Sequence, residues 1–162
     1  MIKTERLLLT PVTEQDLDIY TQLLTCPETT RYLPGGKPFG LDYIEKYIPQ
    51  KIAHWDKGFG TCIVSLIDEP SVKIGYAGVE LIPEINLCDI RYAILPKYQG
   101  QGYAFEAAKA VIDFVLENEL VTEVYGVAVT ENQASVQLLY KLGMRESSVR
   151  LYDSNDLITL ST

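Results

Sequence analysis

Ile90-Arg91-Tyr92-Ala93-Ile94-Leu95-Pro96-Lys97-Tyr98-Gln99-Gly100-Gln101-Gly102-Tyr103-Ala104-Phe105-Glu106-Ala107 is the stretch that decides the fold. An apolar run ends at Leu95, and two glycines then lead into a helix. That helix places Ala104, Ala107, Ala108, Val111, Ile112 and Val115 at helical spacing, with Glu106, Lys109, Asp113 and Glu117 on the opposite face. A strand, a glycine-bearing turn and a helix start expose backbone N–H groups where the helix dipole adds positive potential. Gly100 and Gly102 carry no side chain that would hold a phosphate away from those donors. Arg91 and Lys97, with no acid between residues 90 and 105, add positive charge to the segment. No Gly-Lys-Ser/Thr follows, so this is not a Walker loop, and the third glycine of a dinucleotide fingerprint is missing. On the glycine spacing alone, a tight structural turn is the simpler account.

Working outward, residues 5–10 read as a strand, and Thr13 caps a helix carrying Leu17, Tyr20 and Leu24. Residues 26–40, with three prolines and three glycines, read as a long loop, the kind that tends to be functional. Leu41, Ile44, Ile48, Ile52 and Trp55 share a helical face, with a kink or restart expected at Pro49 and a stop at Gly58. Three strands joined as hairpins follow, near 59–67, 72–82 and 86–95. In the second, alternation puts Val72, Ile74, Tyr76, Gly78, Glu80 and Ile82 on one face. In the third, Cys88, Ile90, Tyr92 and Ile94 share a face, with Asp89 and Arg91 on the other. Beyond the central helix come a strand at 122–129, a helix capped by Asn132 and stopped by Gly143, and strands near 145–151 and 156–161. The order is β-α-α-β-β-β-α-β-α-β-β, a single α/β domain over 1–162 with a mixed, mostly antiparallel sheet of about seven strands.

Composition narrows the function. The chain has 162 residues, 47% hydrophobic and 22% charged, enough to bury a core without staples. Its net charge of −8 disfavours nucleic acid and anionic membrane surfaces and suits a cationic partner such as an amine. Three widely spaced cysteines (Cys26, Cys62, Cys88) and one histidine, His54, give neither a disulfide framework nor a metal-ligand pattern. No stretch reaches the length of about 18 apolar residues that a membrane helix needs, and no signal peptide opens the chain, so the cytoplasm is the expected compartment.

The quoted run resembles the coenzyme-A-binding motif of the GCN5-related N-acetyltransferase (GNAT) superfamily, and more narrowly of its RimJ/RimL-type ribosomal-protein branch. Thr4-Glu5-Arg6-Leu7-Leu8-Leu9 resembles that branch's first strand. Glu131-Asn132-Gln133-Ala134-Ser135, closed by Lys141-Leu142-Gly143-Met144, resembles its last helix. Two departures are Lys97, where Gln or Arg is usual, and Met144, where an aromatic is usual.

The resemblance implies acetyl transfer from acetyl-CoA to an amine by direct attack, without a metal, in a monomer or homodimer. Its cofactor side would use backbone around Ile94 and Leu95 for the pantetheine. The turn from Gln99 through Gly100, Gln101, Gly102, Tyr103 and Ala104 would take the pyrophosphate, with Lys97, Asn132, Ser135 and Lys141 nearby. The family's usual tyrosine acid falls on Leu139; Tyr140, one residue on, reads as a packing residue. Ser135 either assists the leaving thiolate or caps its helix. Glu80, partly buried on its strand face, is the preferred general base and Asp89 the alternative, unless Asp89 merely pairs with Arg91 as a solvated contact. His54 reads as a surface residue. Arg31 and Tyr32, with Trp55 and Phe59, are candidate acceptor contacts, and a protein N-terminus, a polyamine and an antibiotic amine all stay open as acceptors. A CoA-binding or acyl-CoA-sensing module without turnover is the other reading.

Overall fold

The computed structural model describes all 162 residues. Its spine is an eight-stranded sheet in the order β1-β2-β3-β4-β5-β6-β8-β7. The strands are β1 (Ile2–Lys3), β2 (Leu7–Pro11), β3 (Thr61–Leu66), β4 (Glu69–Ile82), β5 (Leu87–Ile94), β6 (Tyr125–Val129), β7 (Arg145–Glu146) and β8 (Leu157–Ser161). The helices are α1 (Leu17–Leu24), α2 (Pro27–Thr30), α3 (Leu41–His54), α4 (Tyr103–Glu117) and α5 (Gln133–Lys141). Every neighbouring pair is antiparallel except β5 with β6. No helix is long and apolar enough to cross a membrane.

Two cores flank the sheet. On one face, α4 and α5 bury Ala107, Val111, Val115, Val136 and Leu139 against Leu9, Val64, Ala77, Val79, Ile90 and Ile94. On the other, α1 and α3 bury Ile19, Tyr20, Leu23, Ile44 and Ile48 against Ile63 and Tyr76. The periodicity of α4 predicts its buried face well. Glu106 departs from it: rather than facing water, it accepts hydrogen bonds from Thr4 Oγ1 (2.5 Å), Arg6 N (3.0 Å) and Arg6 Nε (2.7 Å). Burial works to raise its carboxyl, but these bonds and the Arg6 charge hold it below its usual range. The segment joining β1 to β2 is thereby clamped to the start of α4.

Four expectations from the sequence are corrected. The sheet has eight strands because the two-residue β1 pairs with β2. The run 145–151 is a strand only at Arg145–Glu146, and irregular backbone continues to β8. The loop over 26–40 contains one helical turn, α2. Helix α3 runs through Pro49 without a break: a helix tolerates the lost hydrogen bond, a cost of about 3 kcal/mol, when packing holds it, and Ile44, Ile48 and Lys51 are all buried along this one.

A fifth correction bears on the site. Val64 pairs with Gly75 but Ser65 pairs with Lys73, so Ile74 is an extra residue in β4. A bulge of one residue inverts side-chain alternation on its far side. Ile74 therefore joins Ala77 and Val79 in the α4 core, with Val72 packed against it, while Tyr76 enters the α3 core. Glu80 does not share a face with Val72 and Ile74; it points toward α3.

Candidate functional site

Strands β5 and β6 pair at one position only, Asp89 with Tyr125, and then part. Leu95 N–H donates to Ile74 O at 2.8 Å, and the unbroken β4–β5 register fixes the alternation from there. Odd-numbered residues of β5 bond to β4, so Tyr92 and Ile94 turn their backbone groups toward the gap. Gln99 Nε2 donates to Ile94 O at 2.8 Å, and Leu95 O accepts from Tyr98 N at 2.9 Å. The N–H and C=O of Tyr92 and the N–H of Ile94 thus line the gap without a ladder partner. Leu95, expected to share this role, has both backbone groups engaged.

At the end of the gap the Gly100–Gly102 turn opens α4. Both glycines are left-handed, with φ of +77° and +83°, a conformation that a β-branched residue resists. The N–H groups of Gly100, Gln101, Gly102, Tyr103 and Ala104 make no hydrogen bond within the protein, and α4 has no side-chain cap. Gln99 is the exception in the expected set, since its N–H donates to Pro96 O. Five N–H groups gathered at a helix N-terminus suit an anion of phosphate type. Gly102 is bordered by Arg6, whose Nη1 donates to Gln101 O at 2.9 Å and whose guanidinium lies 4.3 Å above the Tyr103 ring. Arg91, counted from sequence as part of the local positive charge, lies instead on the α3 face of the sheet. Lys97 is exposed beside Tyr98. Arg6, remote in sequence, is the cation that adjoins the turn. Beyond it a cavity of about 390 Å³ is lined in part by Gly102, Phe105, Lys109 and Lys141, and Lys141 Nζ sits 4.4 Å over the Phe105 ring.

Helix α5 starts against the gap. Asn132 Oδ1 accepts from Ser135 N (3.3 Å), as its capping role requires, and Ser135 Oγ lies 2.5 Å from Tyr92 OH. Ser135 is thus both capped and bonded across the gap. Leu139 is buried in the core; Tyr140 is 41% exposed and its hydroxyl donates to Glu146 at 2.6 Å.

The α3 face holds a different kind of chemistry. Glu80 is 4% exposed, and Lys51 Nζ contacts its two oxygens at 2.7 and 2.5 Å, with Arg91 Nη1 at 2.8 Å from one. Asp89, 3% exposed and not a solvated contact, accepts from Arg91 Nε (3.0 Å) and from Tyr152 OH. Burial pushes the Asp89 carboxyl up against the opposing pull of Arg91 and Tyr152, and pushes the Lys51 ammonium down against the pull of Glu80. Lys51 also sits 4.4 Å over Tyr47, which stacks on Tyr43 and through it on Phe39.

Sequence reading missed Tyr43, Tyr47 and Lys51, although they stand at i, i+4 and i+8 on α3; the apolar stripe beside them drew the attention. Arg31 is exposed, and its guanidinium stacks on Tyr32 at 5.0 Å. Trp55 donates to Thr61 O (2.7 Å), and Phe59 is buried in the core. His54 is not a free surface residue: Leu81 N–H donates to its Nε2 (2.9 Å) and its Nδ1 meets Phe59 O (2.9 Å), which ties α3 to β4.

Comparison with known proteins bears on the fold and the family. The uncharacterized N-acetyltransferase YoaA of Bacillus subtilis is 25% identical over 152 residues, 92% of this chain and 85% of that protein. An acetyltransferase from Agrobacterium tumefaciens superposes with a TM-score of 0.88 at 22% identity, covering 99% of this chain and 92% of the other. RimL, the ribosomal L7/L12 α-N-protein acetyltransferase in complex with coenzyme A, superposes with a TM-score of 0.81 at 14% identity, over 98% and 94% of the two chains. These structures share the fold. The acetyltransferase (GNAT) domain model matches residues 6–145, which takes in the Arg6 clamp, the parted strands, the glycine turn and the capped last helix. The chain belongs to the GNAT acetyltransferase family.

Proposed function

We propose that the protein is a cytoplasmic, RimJ/RimL-like N-acetyltransferase that passes an acetyl group from acetyl-CoA directly to a primary amine, on a protein N-terminus or a small molecule. The observation that carries this reading is the juxtaposition of unpartnered N–H groups at Gly100–Ala104 with the open backbone of Tyr92 and Ile94. The turn holds the pyrophosphate, and the strand edge pairs with the pantetheine as an added strand would. An N–H of Tyr92 or Ile94 meets the thioester oxygen as negative charge develops there.

The acceptor enters from the α3 side of the sheet, where Asp89 and Tyr152 lie. Its nitrogen attacks the carbonyl carbon, the C–N bond forms, and the C–S bond breaks with its electron pair left on sulfur. Asp89 fits the proton-accepting role better than Glu80. Burial has raised its carboxyl, and a tyrosine hydroxyl rather than an ammonium covers its outer oxygen. Ser135 supplies the hydrogen bond to the sulfur.

A second reading, a CoA-binding module without turnover, is favoured by two observations: Leu139 is buried where the family's tyrosine acid would stand, and both acids of the α3 face are already paired. Calorimetric titration with CoA, followed by thiol release from acetyl-CoA, separates the two. With a serine-led peptide, spermidine and an aminoglycoside as acceptors, at least one should raise thiol release above hydrolysis. CoA binding with no amine-dependent release selects the second reading, and no CoA binding defeats both.

A further inference from the structure

We infer that Tyr92 is a positioning residue: its phenol, bonded to Ser135 across the strand gap, aims the serine hydrogen at the sulfur that departs from the acetyl group. The inference rests on the reading above. Tyr92 OH and Ser135 Oγ are 2.5 Å apart, one on β5 and the other in the first turn of α5. The backbone of Ser135 is fixed independently by the Asn132 cap, so the hydroxyl is not needed to hold the helix. Ser135 Oγ has no other partner in the protein.

Either oxygen can be the donor by geometry, and the phenol O–H, the more acidic of the two, is the better donor. A serine that accepts from a phenol retains its own hydrogen. Without that phenol the serine would turn back to a carbonyl of its own helix, as serines in helices do. With it, Ser135 Oγ makes no bond to a carbonyl of its helix, and its remaining hydrogen is free to face the gap where Tyr92 and Ile94 present open backbone. As the C–S bond breaks, sulfur keeps the electron pair and accepts a hydrogen bond from Ser135, while Ser135 and Tyr92 each keep their own proton. The acylated nitrogen releases one proton to the solvent, and the departing thiolate takes one up from it.

The test needs no knowledge of the acceptor. CoA itself is the probe: its affinity is measured by calorimetry, and its bound thiol is titrated through the ultraviolet absorbance of the thiolate. In the wild type the bound thiol should titrate at least one pH unit below free CoA, about the worth of one hydrogen bond to a charged atom. Tyr92→Phe keeps the ring and should move the titration back by about one unit, with CoA affinity at low pH within about threefold of wild type. Ser135→Ala should do the same, the double variant should go no further than Ser135→Ala, and Ser135→Thr should retain the wild-type value. A merely structural staple would alter affinity and melting temperature and leave the thiol unmoved. The inference is overturned if Tyr92→Phe titrates like the wild type, if the two single shifts add in the double variant, or if the wild-type bound thiol titrates like free CoA. Failure of the wild type to bind CoA removes the functional reading and this inference together.

Discussion

On the α4 side of the sheet the chemistry is carried by main chain: five N–H groups of one turn and the open edge of one strand. On the α3 side it is carried by side chains, Glu80, Asp89, Lys51 and Arg91, each already paired with another. The first region is open because nothing in the protein completes it. The second is closed, two acids against two bases, so its net charge is near zero despite the acidic whole. The difference teaches that a ligand recognised by backbone can be given a site at little cost to stability, since exposed N–H groups can bond to water until it arrives. A buried ionic cluster lacks that option and must satisfy itself.

Three substitutions test this contrast. The largest effect is expected at the turn. No protein atom lies within 4 Å of a Cβ built on Gly100, so Gly100→Val meets only backbone strain, about 1–2 kcal/mol, and the ligand. CoA affinity should fall on the order of 100-fold, as the loss of one or two bonds to a phosphate requires, while circular dichroism keeps the native signature. Wild-type affinity in calorimetry would break the comparison. Glu80→Gln should do the reverse. It leaves Lys51 buried beside a neutral amide, so denaturant melts should show a loss of about 3 kcal/mol while CoA affinity stays near that of the wild type. A variant as stable as its parent would mean that the α3 cluster is not the self-satisfied unit described.

The smallest effect sharpens the boundary between the regions. Because Glu106 is held below its usual range, its clamp on Thr4 and Arg6 stabilises the fold above the unfolded-state carboxylate value, and the contribution fades as pH falls through the folded one. The melting temperature of Glu106→Gln should therefore lie below wild type at neutral pH, and the gap should close on acidification beneath about pH 4.5. A constant gap across that range would assign the clamp to packing instead of charge.

Legibility in the sequence followed the same division. The glycine turn, the amphipathic α4 and the Asn132 cap are local: each depends on residues within a few positions, and each was readable. The restart considered at Pro49 does not occur because burial of Ile44 and Ile48 outweighs one missing hydrogen bond. Glu80 was assigned the wrong neighbours because a single extra residue, Ile74, has no signature in an apolar run, yet it turns the alternation over. Arg6 and Glu106 sit 100 residues apart, and their pairing was invisible even though both flank recognised motifs.

By itself, the sequence determined the order of the longer elements, the glycine turn that opens α4 and the family resemblance, because helix periodicity, glycine φ and capping are set by near neighbours. Only the tertiary structure decided that Arg6, not Arg91, borders the turn, that Leu95 is engaged while Tyr92 is open, and that Lys51 neutralises Glu80. Those outcomes depend on register, on a bulge and on where two strands part, and such quantities exist only between segments.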